Sequence, residues 1–172
     1  MAGLTVLGIG NILMRDDGIG VRLMEAVRDS RPWPAEVEFV DGGAGGLALL
    51  DIIETAKMLV VFDAADMNLP PGESRLIQPD QLEDHPDPDR LSLHQMTFAQ
   101  TLELCGRFLK KPPTVILAIQ PKTVDYGRQI DREILDRWDS LVKFAADLVQ
   151  SYLNRHDESD FNSDSKNPLR KG

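Results

Sequence analysis

The chain has 172 residues, of which 42% are hydrophobic and 27% are charged, and this indicates one compact domain rather than a disordered or membrane-inserted chain. Nineteen Lys and Arg against 28 Asp and Glu give a net charge of −9, which has the wrong sign for a nucleic-acid or anionic-lipid surface. One cysteine excludes an internal disulfide, and with only three histidines any metal site must rely mainly on carboxylates. We expect a cytoplasmic protein without membrane insertion.

Strand-like and helix-like segments alternate along the chain. Short apolar runs bounded by Gly, Asn, Asp and Pro indicate buried strands, and apolar residues spaced by three and four indicate amphipathic helices. In chain order, the sequence predicts strands over residues 4–9, 36–40, 58–62, 74–77 and 114–119, and helices from Ile19, from Leu49, from Ser92 and over residues 134–152. The third of these predicted helices is placed at Ser92 because Ser92-Leu93-His94-Gln95 has the form of a capping box.

The alternation of strands and helices predicts a three-layer α/β sandwich, with a twisted, largely parallel sheet flanked by helices. We expect residues 1–153 to form the single domain. Residues 154–172 carry few apolar side chains, which is typical of a disordered tail. The acidic, Pro-rich residues 79–90 show no apolar periodicity and are interpreted as a solvated connector.

Three polar side chains are predicted to converge at the carboxyl edge of the sheet, where ligands bind in open α/β folds. Asp17 opens the first helix, Asp63 ends the third strand, and His94 lies in the first turn of the helix that Ser92 caps. Asp41, after the second strand, is a fourth candidate. Two carboxylates and one imidazole suit a divalent first-row metal ion and leave coordination positions open.

Each of the three also has a purely structural interpretation. Asp17 could be the N-cap of the first helix, Asp63 could satisfy loop amides, and His94 could simply begin a helix. The residues alone leave these interpretations open.

Dinucleotide binding is a further alternative, because Gly8-Ile9-Gly10 follows the first strand as in a G-x-G-x-x-G turn. Two features oppose it. Leu13 stands where the third glycine belongs, and Asp16 and Asp17 place negative charge where the helix N-terminus would hold pyrophosphate.

Four motifs stand in order along the chain: GIGNILMRDDGIG over residues 8–20, DGGAGG over residues 41–46, Asp63-Ala64, and Ser92-Leu93-His94-Gln95. Together they resemble the motifs of the hydrogenase maturation endopeptidases, which trim the C-terminus of the large subunit of [NiFe] hydrogenases. That resemblance implies the same α/β fold and a peptidase activity.

The resemblance also implies a metal, nickel, that is supplied by the substrate. The family's metal-contacting residues fall on Asp17, Asp63 and His94, and its substrate-recognition segment falls on Asp41-Gly42-Gly43. The implied partner is the precursor of a [NiFe] hydrogenase large subunit, cut only after nickel insertion. Ala44 stands where the family often has Thr, so any hydrogen bond from that hydroxyl is missing here.

Two alternatives remain open, one for the mechanism of peptide-bond hydrolysis and one for the peptidase activity itself. Nickel could polarise the scissile carbonyl or activate water, with Asp17 or Asp63 accepting a proton, or it could only position the precursor while a carboxylate activates water. The same ligands would also serve a non-proteolytic chaperone that senses the nickel-loaded large subunit without cutting it.

Overall fold

The computed structural model describes residues 3–79, 101 and 111–164, without the side chains of Leu47 and of residues 156–164. Within these ranges the strands are β1 (Leu4–Gly8), β2 (Val37–Asp41), β3 (Leu59–Ala64), β4 (Ser74–Ile77) and β5 (Thr114–Ile119). The helices are α1 (Ile19–Ser30), α2 (Leu50–Thr55), α3 (Arg132–Leu135) and α4 (Trp138–Asp164), with short 3-10 turns over Arg15–Gly18 and Leu47–Leu49.

These strands form one sheet in the order β2-β1-β3-β5-β4. Neighbouring strands are parallel except for β4, which pairs antiparallel with β5. The inner strands β1, β3 and β5 are nearly continuous apolar runs because both faces of the sheet are covered there, whereas the edge strand β2 contains the exposed Glu38.

Strand side chains alternate between two apolar cores, since successive residues of a strand point to opposite faces. On one face, Val6 and Phe62 belong to a cluster formed with α1 and α4. On the other face, Leu7 and Val61 belong to a cluster formed with α2. Helices on both sides of a largely parallel sheet confirm the predicted three-layer α/β sandwich. The same alternation places Asp63 on the face that α2 covers.

Strand β3 is longer than its apolar run. It pairs with β5 as far as Ala64, which lies opposite Ile119. The strand predicted over residues 58–62 is therefore too short at its carboxyl end, because the register with β5 extends the ladder past the last apolar residue. Asp63 stands at the end of β3, as predicted, one residue before its last. Asp63 has the fixed backbone of a strand rather than that of a loop.

The C-terminal helix differs from the prediction at its beginning. The predicted helix from residue 134 is divided, with α3 ending at Leu135 and α4 beginning at Trp138. Helix α4 continues to Asp164, past residue 154. Residues 165–172 lie outside the described ranges, so the tail stays a prediction. None of the helices in the described part of the chain is long and apolar enough to cross a membrane.

Several predictions fall outside the described residues. They are the helix from Ser92, its residue His94, and the connector from residue 80 onward.

Two glycines let the first helix and the turn before it approach the sheet edge directly. A Cβ on Gly20 would lie 2.2 Å from the backbone oxygen of Phe62 and 2.3 Å from that of Ile9. Gly10 has a φ of 134°, and a Cβ there would lie 1.8 Å from the backbone oxygen of Asp17. The turn that carries Asp17 is therefore pressed against the ends of β1 and β3. Because the chain itself packs beside Gly10, the structure does not favour the dinucleotide-binding alternative.

We expect Gly20→Ala to lower the free energy of unfolding by about 3 kcal/mol or more, since two backbone oxygens would have to move. Helix propensity alone predicts the opposite sign, a gain of about 1 kcal/mol for Gly to Ala inside a helix. Urea unfolding followed by circular dichroism distinguishes the two. A variant at least as stable as the parent would show that the close approach does not constrain α1.

Candidate active site

The candidate site lies at the topological switch point of the sheet, where the strand order reverses. Strand β1 has β2 on one side and β3 on the other, so the chain leaves the carboxyl end of β1 towards one neighbour and later returns to the opposite one. Ligands of open α/β sheets bind at such a switch point. Asp17 lies in the turn after β1, and Asp63 lies near the carboxyl end of β3.

Asp17 is held by the turn that follows β1. It is partly buried in the 3-10 turn Arg15–Gly18, and its Oδ2 accepts a hydrogen bond of 2.8 Å from the backbone N–H of Asn11. Helix α1 has Gly18 as its N-cap, with no side-chain capping bond. The interpretation of Asp17 as the N-cap of the first helix is therefore wrong, since its carboxylate binds back into the preceding turn.

Asp63 lies in an environment that disfavours its charge. Its pKa is raised from an ordinary 3.8 to about 7. Desolvation is the largest cause, the negative charge of Asp17 is the second, and a hydrogen bond from the Ala64 backbone acts in the opposite direction. The influence of Asp17 on Asp63 shows that the fold brings these two predicted residues together, although 46 positions separate their numbers (63 − 17 = 46).

A carboxylate pair of this kind can do two things chemically. Near neutral pH it exchanges a proton, which suits a group that takes up and releases protons during a reaction. It also offers oxygen ligands to a divalent cation, whose charge would relieve the repulsion between the two carboxylates.

Asp16 has the opposite role from its neighbour. It has no exposed surface, and its carboxylate accepts backbone hydrogen bonds from Lys122 (3.0 Å), Thr123 (2.8 Å) and Asp131 (2.7 Å). Its own backbone N–H donates to the oxygen of Thr123. Asp16 thus fastens the segment over residues 121–131 to the turn that carries Asp17. This role of Asp16 was not predicted, because nothing in an Asp-Asp dipeptide tells which residue will be buried.

The Asp41-Gly42-Gly43 segment lies one strand away and is bonded to the same turn. Asp41 is exposed at the end of β2, and its Oδ1 accepts a hydrogen bond of 2.8 Å from the backbone of Gly43. The backbone of Gly42 donates to Gly8, and that of Gly10 donates to Gly43. The segment therefore borders the candidate site, and its role in substrate binding stays a prediction.

The described residues contain no group of three His, Cys, Asp or Glu side chains that could hold one metal ion. Asp41 consequently does not join Asp17 and Asp63 as a third ligand, and its position at the far side of β1 is the reason. His94 lies outside the described residues, so its ligand role stays a prediction.

A protein-family model described as "Hydrogenase maturation protease" (HycI) matches residues 21–148. The chain belongs to the hydrogenase maturation protease family. This family member is 33% identical over 151 residues to the hydrogenase expression/formation protein HupD of Thiocapsa roseopersicina, which covers 87% of this chain and 68% of that protein. It is 38% identical over 151 residues to HupD of Rhizobium leguminosarum bv. viciae, with coverage of 87% and 75%.

Solved structures agree with this assignment. The hydrogenase maturating endopeptidase HybD from Escherichia coli superposes with a TM-score of 0.70 at 26% identity, covering 89% of this chain and 93% of that one. The [NiFe] hydrogenase maturation protease HycI from Thermococcus kodakarensis shares the fold, with a TM-score of 0.68 at 18% identity and coverage of 87% and 93%. The resemblance in the sequence motifs to this family of proteases is thereby confirmed.

Asp63→Asn tests whether this family member stores electrostatic strain in its carboxylate pair. A folded-state pKa above the unfolded value means that stability falls as pH rises from about 4 to about 7. The full difference corresponds to roughly 4 kcal/mol, and partial solvent access screens it. We expect Asp63→Asn to raise the free energy of unfolding by about 2 kcal/mol at pH 8 and by about 1 kcal/mol at pH 5.5.

Urea unfolding at the two pH values measures this effect. Glu25→Gln, at an exposed position of α1, is the control and should show no pH-dependent gain. Loss of stability in Asp63→Asn at pH 8 would mean that the Asp63 carboxylate is well satisfied in the fold.

Asp16→Asn and Asp17→Asn make the same chemical change at adjacent positions and should have unequal effects. We expect Asp16→Asn to cost about 3 kcal/mol, because an amide cannot accept all three backbone hydrogen bonds and places a donor against them. We expect Asp17→Asn to cost less than about 0.5 kcal/mol, because it removes repulsion towards Asp63. Chemical unfolding at pH 7 compares the two, and equal losses would contradict the division of roles.

Proposed function

We propose that this chain is the endopeptidase that removes the C-terminal extension of a [NiFe] hydrogenase large-subunit precursor after nickel insertion. It recognises nickel that the substrate carries, through Asp17, Asp63 and His94. The observation that carries the proposal is the carboxylate pair, in which burial and the charge of Asp17 raise the pKa of Asp63 to about 7.

Two neighbouring carboxylates in a desolvated site are unfavourable until a proton or a cation joins them. A divalent ion that arrives with the substrate would supply the missing positive charge only when the precursor is loaded. The pair therefore favours the nickel-bearing precursor over the nickel-free one, since the free energy of binding includes relief of the repulsion between Asp17 and Asp63.

The donor set also fits a borrowed metal better than a resident one. Two carboxylate oxygens and one imidazole nitrogen are ligands of modest softness, and three ligands leave further positions for those of the precursor. His94 would supply the imidazole. Nickel that is already held by substrate thiolates could thus be shared between the two proteins.

Hydrolysis at this site needs an acceptor for one proton of the attacking water. In the metal-free site Asp63 binds a proton near neutral pH. Once nickel is shared with the precursor, a carboxylate oxygen of Asp17 or Asp63 that is not bound to the ion would accept the proton. The resulting hydroxyl adds to the scissile carbonyl carbon, the C–N bond breaks, and the proton passes to the leaving nitrogen. The other carboxylate of the pair would remain a ligand of the ion.

The precursor would also touch the segment Asp41-Gly42-Gly43, which borders the site and is exposed at Asp41. We assign substrate recognition to this segment and a cytoplasmic location to the enzyme, where precursor and nickel-insertion machinery would meet it.

Intact-mass spectrometry of the large subunit tests the proposed activity. We expect wild-type protein to shorten the nickel-loaded precursor and to leave the nickel-free precursor intact. Asp17→Asn, Asp63→Asn and His94→Ala should each lower the initial rate by at least about 100-fold, since each removes a ligand or the proton acceptor. Glu25→Gln should stay within about twofold of wild type, as surface changes usually do.

Three results would contradict parts of the proposal. Equal cleavage of both precursors would exclude recognition of nickel. Binding of the loaded precursor without any loss of mass would instead support the chaperone alternative. Full activity in one of the three variants would remove that residue from the site.

A further inference from the structure

An exposed apolar patch lies beside the candidate active site. It consists of Ile12 (43% exposed), Leu13 (37%), Val124 (51%) and Tyr126 (83%), and we call these four residues the Tyr126 patch. A cluster of large apolar side chains at a protein surface often marks an interaction site. An aromatic ring that is mostly in water is the kind of side chain that anchors a partner.

The Tyr126 patch is built from two segments that the backbone holds together. The N–H of Gly127 donates to the oxygen of Leu13, and the N–H of Arg15 donates to the oxygen of Gly127, both at 2.8 Å. Behind this bridge, the buried Asp16 binds the backbone N–H of Thr123. The patch is therefore preorganised, which lowers the entropy lost when a partner binds it.

The position of the patch ties it to the carboxylate pair. Ile12 directly follows Asn11, whose N–H binds Asp17, and the N–H of Leu13 donates to the Asn11 side chain at 2.9 Å. The segment with Tyr126 follows β5. This strand lies beside β3, and β3 carries Asp63. A polypeptide that reaches the carboxylate pair from this side would pass along the patch, because Ile12 and Leu13 directly follow the residue whose N–H binds Asp17.

The charges around the patch are largely paired within the chain. Arg15 forms ion pairs with Asp125 (3.7 Å) and Asp131 (3.9 Å). Lys122 pairs with Asp131 and with Glu133. Arg15 and Lys122 thus have carboxylate partners, and Arg128, two residues after Tyr126, is exposed. The surface therefore presents apolar side chains beside the exposed cation of Arg128.

We infer that the Tyr126 patch binds an apolar stretch of the hydrogenase large-subunit precursor next to its scissile bond. This inference rests on the proposed function for the identity of the client, and it adds the docking surface and the chemistry of the segment that docks. In this proposal the carboxylate pair binds the metal ion, and the Tyr126 patch binds the polypeptide.

Binding and cleavage of the nickel-loaded precursor by Tyr126→Ala test the inference. We expect the Kd for the precursor and the KM to rise at least about tenfold, since burial of an exposed aromatic ring is lost. The kcat should stay within about twofold, because the ring does not touch the reacting atoms. Tyr126→Phe should bind as wild type does, since it keeps the apolar ring.

Phe144→Ala, which removes another exposed aromatic ring, on α4, is the matched control and should leave Kd and KM unchanged. Unchanged Kd and KM in Tyr126→Ala would overturn the inference, and so would a fall in kcat alone. Wild-type protein that fails to bind the precursor would overturn it as well. If wild type binds the precursor without cutting it and Tyr126→Ala weakens that binding, the docking surface stands while the proposed peptidase activity fails.

Discussion

The repulsion between Asp17 and Asp63 is the interaction on which the candidate site depends. In water the two carboxylates would stay apart and ionised, and on this sheet edge they share a partly desolvated position in which the pKa of Asp63 rises to about 7. The fold must supply the free energy that keeps them there. A site under this tension gains most from a cation or a proton, so its chemistry follows from its electrostatics.

Close packing of backbone supplies that free energy. Gly20 leaves no room for a Cβ between α1 and the backbone oxygens of Phe62 and Ile9, so α1 begins directly on the sheet edge. The preceding turn is fixed from the other side by Asp16, whose three backbone hydrogen bonds are buried. Asp17 stands between these two constraints and cannot relax away from Asp63. At Asp63 the charge that the proposed function needs lowers stability. At Asp16 the hydrogen bonds that stabilise the fold also hold the site in place.

The same construction links the carboxylate pair to the Tyr126 patch, the proposed docking surface. The segment over residues 121–131 closes over the turn because Asp16 binds it, and its outer side presents Val124 and Tyr126. One buried carboxylate, that of Asp16, thus holds both the turn that carries Asp17 and the segment that carries Val124 and Tyr126. A peptidase that cuts one folded client has reason to combine the two, since neither a metal ion nor a short apolar stretch is a specific signal by itself.

The sequence by itself determined the order of strands and helices, the two-sided burial of the sheet and the family, because apolar periodicity and motif spacing are properties of neighbouring residues. It also indicated Asp17 and Asp63 as candidates, through the ends of strands and through resemblance. Only the tertiary structure decided that Asp16 is buried while Asp17 lies close enough to raise the pKa of Asp63, that β3 continues through Asp63, and that residues 121–131 are bonded to the turn. Those outcomes depend on contacts between segments up to about 115 positions apart (Asp131 to Asp16), and no local pattern encodes the free energy of such contacts.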